Sequence, residues 1–145
     1  MNKILNFLLL IFLLVNILSV SKANENFFNK GVKLYEDKKF NDARIMFERS
    51  IVFDPKHSNS YLYLAKIYNY EENQKKEEKN LESTLLIEPS NEEAMLMLMK
   101  IAIKKSNYSR VKELSKNFTK VCQNLCNQHE GILESLANLE PQNES

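Results

Sequence analysis

A spacing of 34 residues recurs along this chain and constrains its fold more than any other feature. Pro55 and Pro89 stand 34 apart, each after an acid, Asp54 and Glu88. Gly31, Ala65 and Met99 keep the same interval, as do Phe27, Tyr61 and Met95, and Leu34, Tyr68 and Ala102. Ser50, Thr84 and Phe118 follow it, Phe47 pairs with Leu81, and Phe40 and Tyr108 lie two intervals apart. A period of this length means one supersecondary unit, repeated and stacked.

Within each interval the apolar residues are spaced by three and four, the period of an amphipathic helix rather than a strand. In the first unit Phe27, Gly31 and Leu34 form one stripe. A polar break, Glu36-Asp37-Lys38-Lys39, follows, and then a second stripe of Ala43, Phe47, Ser50 and Ile51. Pro55 stops the helix, because it lacks an N–H and disfavours helix in the residue before it. The second unit repeats this with Tyr61, Leu64, Ala65 and Tyr68, a charged break over 71–78, then Leu81, Thr84 and Leu85 before Pro89. The third runs Met95, Leu98, Met99 and Ala102, breaks at Ser106-Asn107, and resumes with Tyr108, Val111, Leu114 and Phe118. No segment of useful length reads as a strand.

These residues resemble the tetratricopeptide repeat family. The pattern is carried by Gly31, Tyr35, Phe40, Ala43, Phe47 and Pro55 in the first unit, and by Tyr61, Leu64, Ala65, Tyr68 and Pro89 in the second. The resemblance implies an all-α fold, a right-handed α-α superhelix of about three hairpins (24–57, 58–91 and 92–123) closed by a C-terminal capping helix at 124–140. Residues 141–145 are expected to form a flexible tail. Glu77 departs from the pattern, standing where the family prefers a small residue. The third unit departs more: Met99 replaces a small residue, Ser115 an aromatic, and no Pro closes it. The cap has Ile132, Leu133, Leu136 and Leu139 to cover the last apolar face, as a stacked fold requires.

Residues 1–23 read as an address rather than fold. Lys3 precedes an apolar run from Phe7 to Val15, and Ser21-Lys22-Ala23 supplies small residues at a cleavage point, the order of a secretory signal peptide. The uninterrupted run is short for a bilayer span, and Asn6 and Asn16 flank it. The alternative is an uncut anchor using residues 4–20. Either way the remainder is expected outside the cytosol, periplasmic or secreted.

Charge narrows the partners. The chain has 20 Lys+Arg against 19 Asp+Glu, and loss of Lys3 and Lys22 with the leader leaves it one acid in excess. No field remains that would hold nucleic acid or an anionic membrane, so membrane contact is expected only through an uncleaved N-terminal segment.

Chemistry is sparse. Two Gly leave no phosphate loop, and two His give little material for hydrolysis. Neither an enzyme nor a cofactor is expected, nor a small-molecule substrate. Cys122-x3-Cys126-x2-His129 is the one cluster of interest. Export favours a disulfide between Cys122 and Cys126. Cysteines at i and i+4 of a straight helix are poorly placed to bridge, so the bond requires a bend at Gln123–Leu125. Free thiols, or a metal or redox role, are the alternatives. Three Asn-x-Ser/Thr triplets begin at Asn107, Asn117 and Asn143, and matter only in a host that glycosylates exported Asn.

The resemblance also implies a site. In that family the first helix of each unit lines a concave groove for a peptide or partner helix. Carried over, the first rung is Phe28, Val32 and Tyr35, and the second is Leu62, Lys66, Asn69 and Tyr70. The third is Leu96, Lys100, Ile103 and Lys104. The lysines point to an acidic or carboxylate-bearing protein or peptide, while Phe28 and Val32 stand where a full carboxylate clamp would want polar groups. The alternative is that the cap or the N-terminal segment folds over part of this surface. The expected function is a non-catalytic interaction module or scaffold in envelope or secreted-protein assembly. A thiol-dependent accessory factor using Cys122 and Cys126, or a membrane-anchored subunit of a larger complex, are the other readings.

Overall fold

The computed structural model describes residues 7–8 and 26–139. The expected leader therefore lies outside the described residues, apart from Phe7 and Leu8, which are helical and exposed. Residue 140, the last of the expected cap, and the expected tail at 141–145 lie outside them too. No strand occurs among the described residues, and none of their helices is long and apolar enough to cross a membrane. The helices are α1 (26–36), α2 (Phe40–Phe53), α3 (Ser58–Tyr70), α4 (Gln74–Ile87), α5 (Glu92–Lys104), α6 (Tyr108–Val121) and α7 (Cys126–Leu139). They fall into two compact units, one ending at Leu64 and the other beginning at Ala65.

The 34-residue interval is written in the backbone as well as in the side chains. Among the described residues, Lys38, Glu72 and Ser106 are the non-glycine residues with positive φ, at 59°, 56° and 54°. Each follows the first helix of a hairpin and reverses the chain, a place usually given to glycine. The same closing bonds surround each one. Lys39 N–H donates to Leu34 O, Asn73 N–H to Tyr68 O, and Asn107 N–H to Ala102 O, all at 2.8 Å. The following helices are capped locally: Asn73 Oδ1 accepts the Lys76 N–H and Asn107 Oδ1 accepts that of Arg110. The third hairpin thus turns like the other two, although its side chains depart from the pattern.

In the first unit α1 packs on α2 through a contact that only glycine permits. A Cβ on Gly31 would lie 2.7 Å from Cε1 of Phe47, whose ring is fully buried. Burial of that ring contributes about 1.5–3 kcal/mol. Tyr63, from the start of α3, stacks on Phe47 with centroids 5.0 Å apart. Beneath them Ser60 Oγ donates to Ser50 Oγ at 2.9 Å, both fully buried. The pair satisfies two hydroxyls that would be costly to bury alone.

In the second unit α5 is the central helix, packing on α4, α6 and α7. Its sequence, EEAMLMLMKIAIK, is apolar on nearly every face, as a helix with three neighbours must be. Asn91 starts it by accepting the Ala94 N–H at 3.0 Å, and Glu92 and Glu93 suit the positive end of its dipole. Glu77, the departure noted in the sequence, is 4 % exposed and accepts a hydrogen bond from Asn69 Nδ2 at 2.9 Å. The carboxyl is thus held by a hydrogen bond from α3.

Candidate functional site

In the first unit Phe28, Val32 and Tyr35 are half-buried, and the two aromatics are engaged in packing. Phe28 lies against Phe47, His57 and Tyr63, with centroids at 5.8, 4.6 and 5.7 Å. Tyr35 meets Phe40 at 5.3 Å and Tyr63 at 5.2 Å. His57, in the turn before α3, lies with its ring against Phe28 and its Nδ1 2.9 Å from Ser60 Oγ.

Two residues expected to face a partner do not. Leu62 is 5 % exposed and Leu96 is 2 % exposed. The expectation treated the second apolar stripe of each helix as open surface. For α5 the correction has a plain cause: a helix flanked by three others buries more than one stripe. Leu96 joins Met95 and Met99 in its packed side, and Leu62 lies in a similarly wide buried face of α3.

The polar members of the second and third rungs stay nearer the surface. Lys66 Nζ pairs with Glu93 at 2.8 Å, and Asn69 is committed to Glu77. Tyr70 is 69 % exposed. A cavity of about 290 Å³ lies among Asn69, Glu72, Gln74, Glu77 and Lys104. Burial raises the Glu77 pKa above its ordinary value, and neighbouring Glu78 adds to this; the Asn69 hydrogen bond and the Lys104 charge pull against it.

The larger cavity, about 500 Å³, opens between α5 and α7. Lys100, Ile103 and Lys104 line it from α5; Gln128, Gly131, Ile132, Ser135 and Leu139 line it from α7. Lys100 and Lys104 are exposed, one turn apart. The wall on α7 carries no charge. Helix α7 thus does more than cover an end: Ile132 and Leu136 are buried, while Leu133 and Leu139 remain 42 % and 53 % exposed. The α7 residues were missed as site residues in the sequence. Their one visible signal was Gly131, an isolated glycine inside a helical pattern.

The position of α7 is fixed by the loop before it. Helix α6 ends at Val121, Cys122 is extended, and the chain bends over 123–125 before α7 begins at Cys126. Cys122 and Cys126 are joined as a disulfide with their Cα atoms 5.4 Å apart, and the bend expected from their spacing is where the bridge forms. His129 does not join them. It is buried, hydrogen-bonded through Nε2 to Ser115 Oγ, with its ring 4.9 Å from that of Phe118. Burial lowers its pKa below 6.5, which favours the neutral ring. Ser115 stands where an aromatic was expected, and its hydroxyl is partnered by the buried imidazole.

Helical hairpins with these turns at this interval define the fold class, and comparison with solved structures places the chain in it. The chain has the helical-hairpin fold of tetratricopeptide repeat domains. It resembles the TPR2B domain of yeast Sti1 in its complex with pHsp70, with TM-score 0.73 and 10 % identity over 81 % of this chain and 98 % of that one. The Arabidopsis OM64 TPR domain aligns with TM-score 0.72 and 16 % identity, over 82 % and 98 %. The Yersinia enterocolitica type III secretion chaperone SycD, in complex with a peptide of the translocator YopD, aligns with TM-score 0.70 and 13 % identity, over 79 % and 92 %. No protein-family profile matches the chain, and no curated protein sequence does.

Proposed function

We propose that this chain is a non-catalytic interaction module that holds a peptide segment of a partner protein in the cavity between α5 and α7. The carrying observation is that cavity itself: an apolar floor of Ile103, Ile132 and Leu139 beside two exposed lysines, Lys100 and Lys104. An apolar recess with a few placed polar groups is the usual form of a binding site. The reading is supported by structural neighbours described with bound peptides, SycD among them. The N-terminal segment directs the chain out of the cytosol, where it serves envelope or secreted-protein assembly, released after Ala23 or anchored by residues 4–20.

The test is affinity capture from the exported fraction with the full chain, alongside its Lys100→Glu/Lys104→Glu variant. The wild type retains a partner; the variant releases it, and the residual binding depends less on salt. Equal retention by both rejects the α5–α7 site. Mass measurement of the exported protein decides between release and anchoring.

The bridge between Cys122 and Cys126 favours a second reading, a thiol-dependent accessory factor. A Cys122→Ser/Cys126→Ser variant separates the two. The interaction module keeps its partner with lower stability, whereas the thiol factor loses function with stability unchanged.

A further inference from the structure

A carboxylate lines the smaller cavity, and the chain itself does not neutralise it. Glu77 is 4 % exposed, and its Oε1 accepts the hydrogen bond from Asn69 Nδ2. Among the described residues its Oε2 accepts no hydrogen bond, and Glu77 stands in no ion pair. Yet no fully buried side-chain oxygen or nitrogen among them lacks a partner. Oε2 is therefore not sealed in the packing; it opens on the cavity of about 290 Å³ that Glu77 lines. A buried carboxylate ordinarily has both a charge partner and hydrogen bonds on its remaining lone pairs. Here burial works against the ionised form, and one hydrogen bond and a distant lysine are all that oppose it.

The rest of the lining says what would complete it. Asn69 has committed its amide nitrogen to Glu77, which leaves its carbonyl oxygen as an acceptor. Glu72, exposed in the turn between α3 and α4, has no ion-pair partner among the described residues. Gln74 adds an amide, and Lys104 is the single cation of the lining, acting on Glu77 without forming an ion pair with it. Two carboxylates against one ammonium leave the cavity negative, with more acceptors than donors. Two carboxylates are few for a divalent metal ion, and Lys104 opposes one. An organic cation rich in N–H groups fits the set better: guanidinium carries five such donors in a plane, against three on an ammonium, and accepts nothing. The volume is at the small end for a ligand site, which suits one side chain rather than a length of peptide. We infer that this cavity takes an arginine side chain of a partner protein, its guanidinium donating to Glu77 Oε2 and to the free acceptors of Glu72 and Asn69. The inference goes beyond the α5–α7 reading, differs from it in place and in sign of charge, and stands without it.

The experiment is NMR on the full chain, following the side-chain NH2 signals of Asn69 and Gln74 during titration with acetyl-Ala-Arg-Ala amide, a probe whose only charge is its guanidinium. Saturable shifts are expected, with an affinity about tenfold or more above that of the citrulline analogue, which is close in shape and uncharged. Glu77→Gln keeps an acceptor for Asn69 and removes the charge. It should bind the arginine probe about tenfold more weakly or worse, yet melt no lower than wild type, because a buried charge has been relieved. A carboxylate that only held α3 to α4 would not give that combination. Lys104→Gln removes the opposing cation and should tighten binding of the probe, the reverse of what the capture test expects from loss of the lysines. Equal binding of the arginine and citrulline probes, or wild-type binding in Glu77→Gln, overturns the proposal. Free arginine that binds more tightly than the capped probe assigns the cavity to the amino acid and also overturns it. So does the absence of any saturable shift, a result that leaves the Lys100→Glu/Lys104→Glu test of the α5–α7 cavity untouched.

Discussion

The Glu92 carboxylate accepts the Leu125 N–H at 2.7 Å, although 33 residues separate them. The same carboxylate takes the N–H of Gln123 at 2.8 Å and that of Asn124 at 3.2 and 3.1 Å to its two oxygens. Three successive amides, left over where α6 stops and α7 has not begun, are satisfied by one side chain from the first turn of α5. The first two hairpins end at Asp54-Pro55 and Glu88-Pro89; the third has no proline, and Glu92 holds the chain where it leaves the helix.

Partial burial alone would raise the Glu92 pKa, but the hydrogen bonds from Leu125, Gln123 and Asn124 outweigh it and bring it below the ordinary 4.5. A carboxyl with a depressed folded pKa contributes stability that is present above its unfolded pKa and is lost as pH falls through the folded value. Glu92→Gln, with one acceptor oxygen instead of two, should therefore speed hydrogen exchange at Gln123, Asn124 and Leu125 at neutral pH. The difference from wild type should shrink below pH 4.5. Exchange rates unaltered by the substitution at pH 7 would count against this role.

Gly31→Ala should destabilise the chain by about 1–3 kcal/mol, against the helix-propensity trend, because its methyl needs the space of a Phe47 ring that is already fully enclosed. Urea unfolding measures this. The companion substitution Phe47→Leu should recover part of the loss in the double variant, since it removes the obstructing ring carbons; strict additivity would mean that the two residues do not compete for one space.

At Lys38, Glu72 and Ser106 the opposite sign is expected. Each holds a positive φ on an exposed turn, a conformation that costs a residue with a Cβ roughly 1 kcal/mol. Glu72→Gly and Ser106→Gly should each raise the unfolding free energy by up to about 1 kcal/mol, less the added freedom of glycine in the unfolded chain. Differential scanning calorimetry will register the rise in Tm; a fall at both sites contradicts the strain.

His129 gives the chain a second pH dependence. Its folded pKa lies below 6.5 because the ring is buried. The unfolded chain takes up a proton near pH 6.5 while the folded one resists, so stability falls as pH drops below that value and levels off beneath the folded pKa. Between pH 7 and about 5.5, above most carboxylate titration, His129→Gln should show a flatter stability profile than wild type. Matching slopes would reject the assignment.

The hairpins were legible in the sequence because a repeated contact needs side chains of repeated size: Phe47 and Leu81, or Ser50 and Thr84, occupy one register and are buried alike. The bend at 123–125 was legible from the poor fit of an i, i+4 bridge to a straight helix. The site was less so. Periodicity says that a helix has a second apolar stripe but not what covers it, and Leu62 and Leu96 were lost to that ambiguity. The wall on α7 was hidden for the same reason, since which face of a terminal helix stays open depends on where the preceding loop sends it. Glu92 had no local signal at all: its partners are backbone amides far along the chain.

One consequence follows from the carboxylate that closes the third hairpin. In the repeat register Glu92 falls where the second unit has Ser58, whose hydroxyl cannot collect three amides. A copy of the second unit inserted after Asn91 would extend the series, yet a copy placed last would have no acid to receive the chain. The exit from the third hairpin is thus specified from that hairpin's own opening turn, and a copy of the second unit cannot stand in its place without losing the acid that receives the chain.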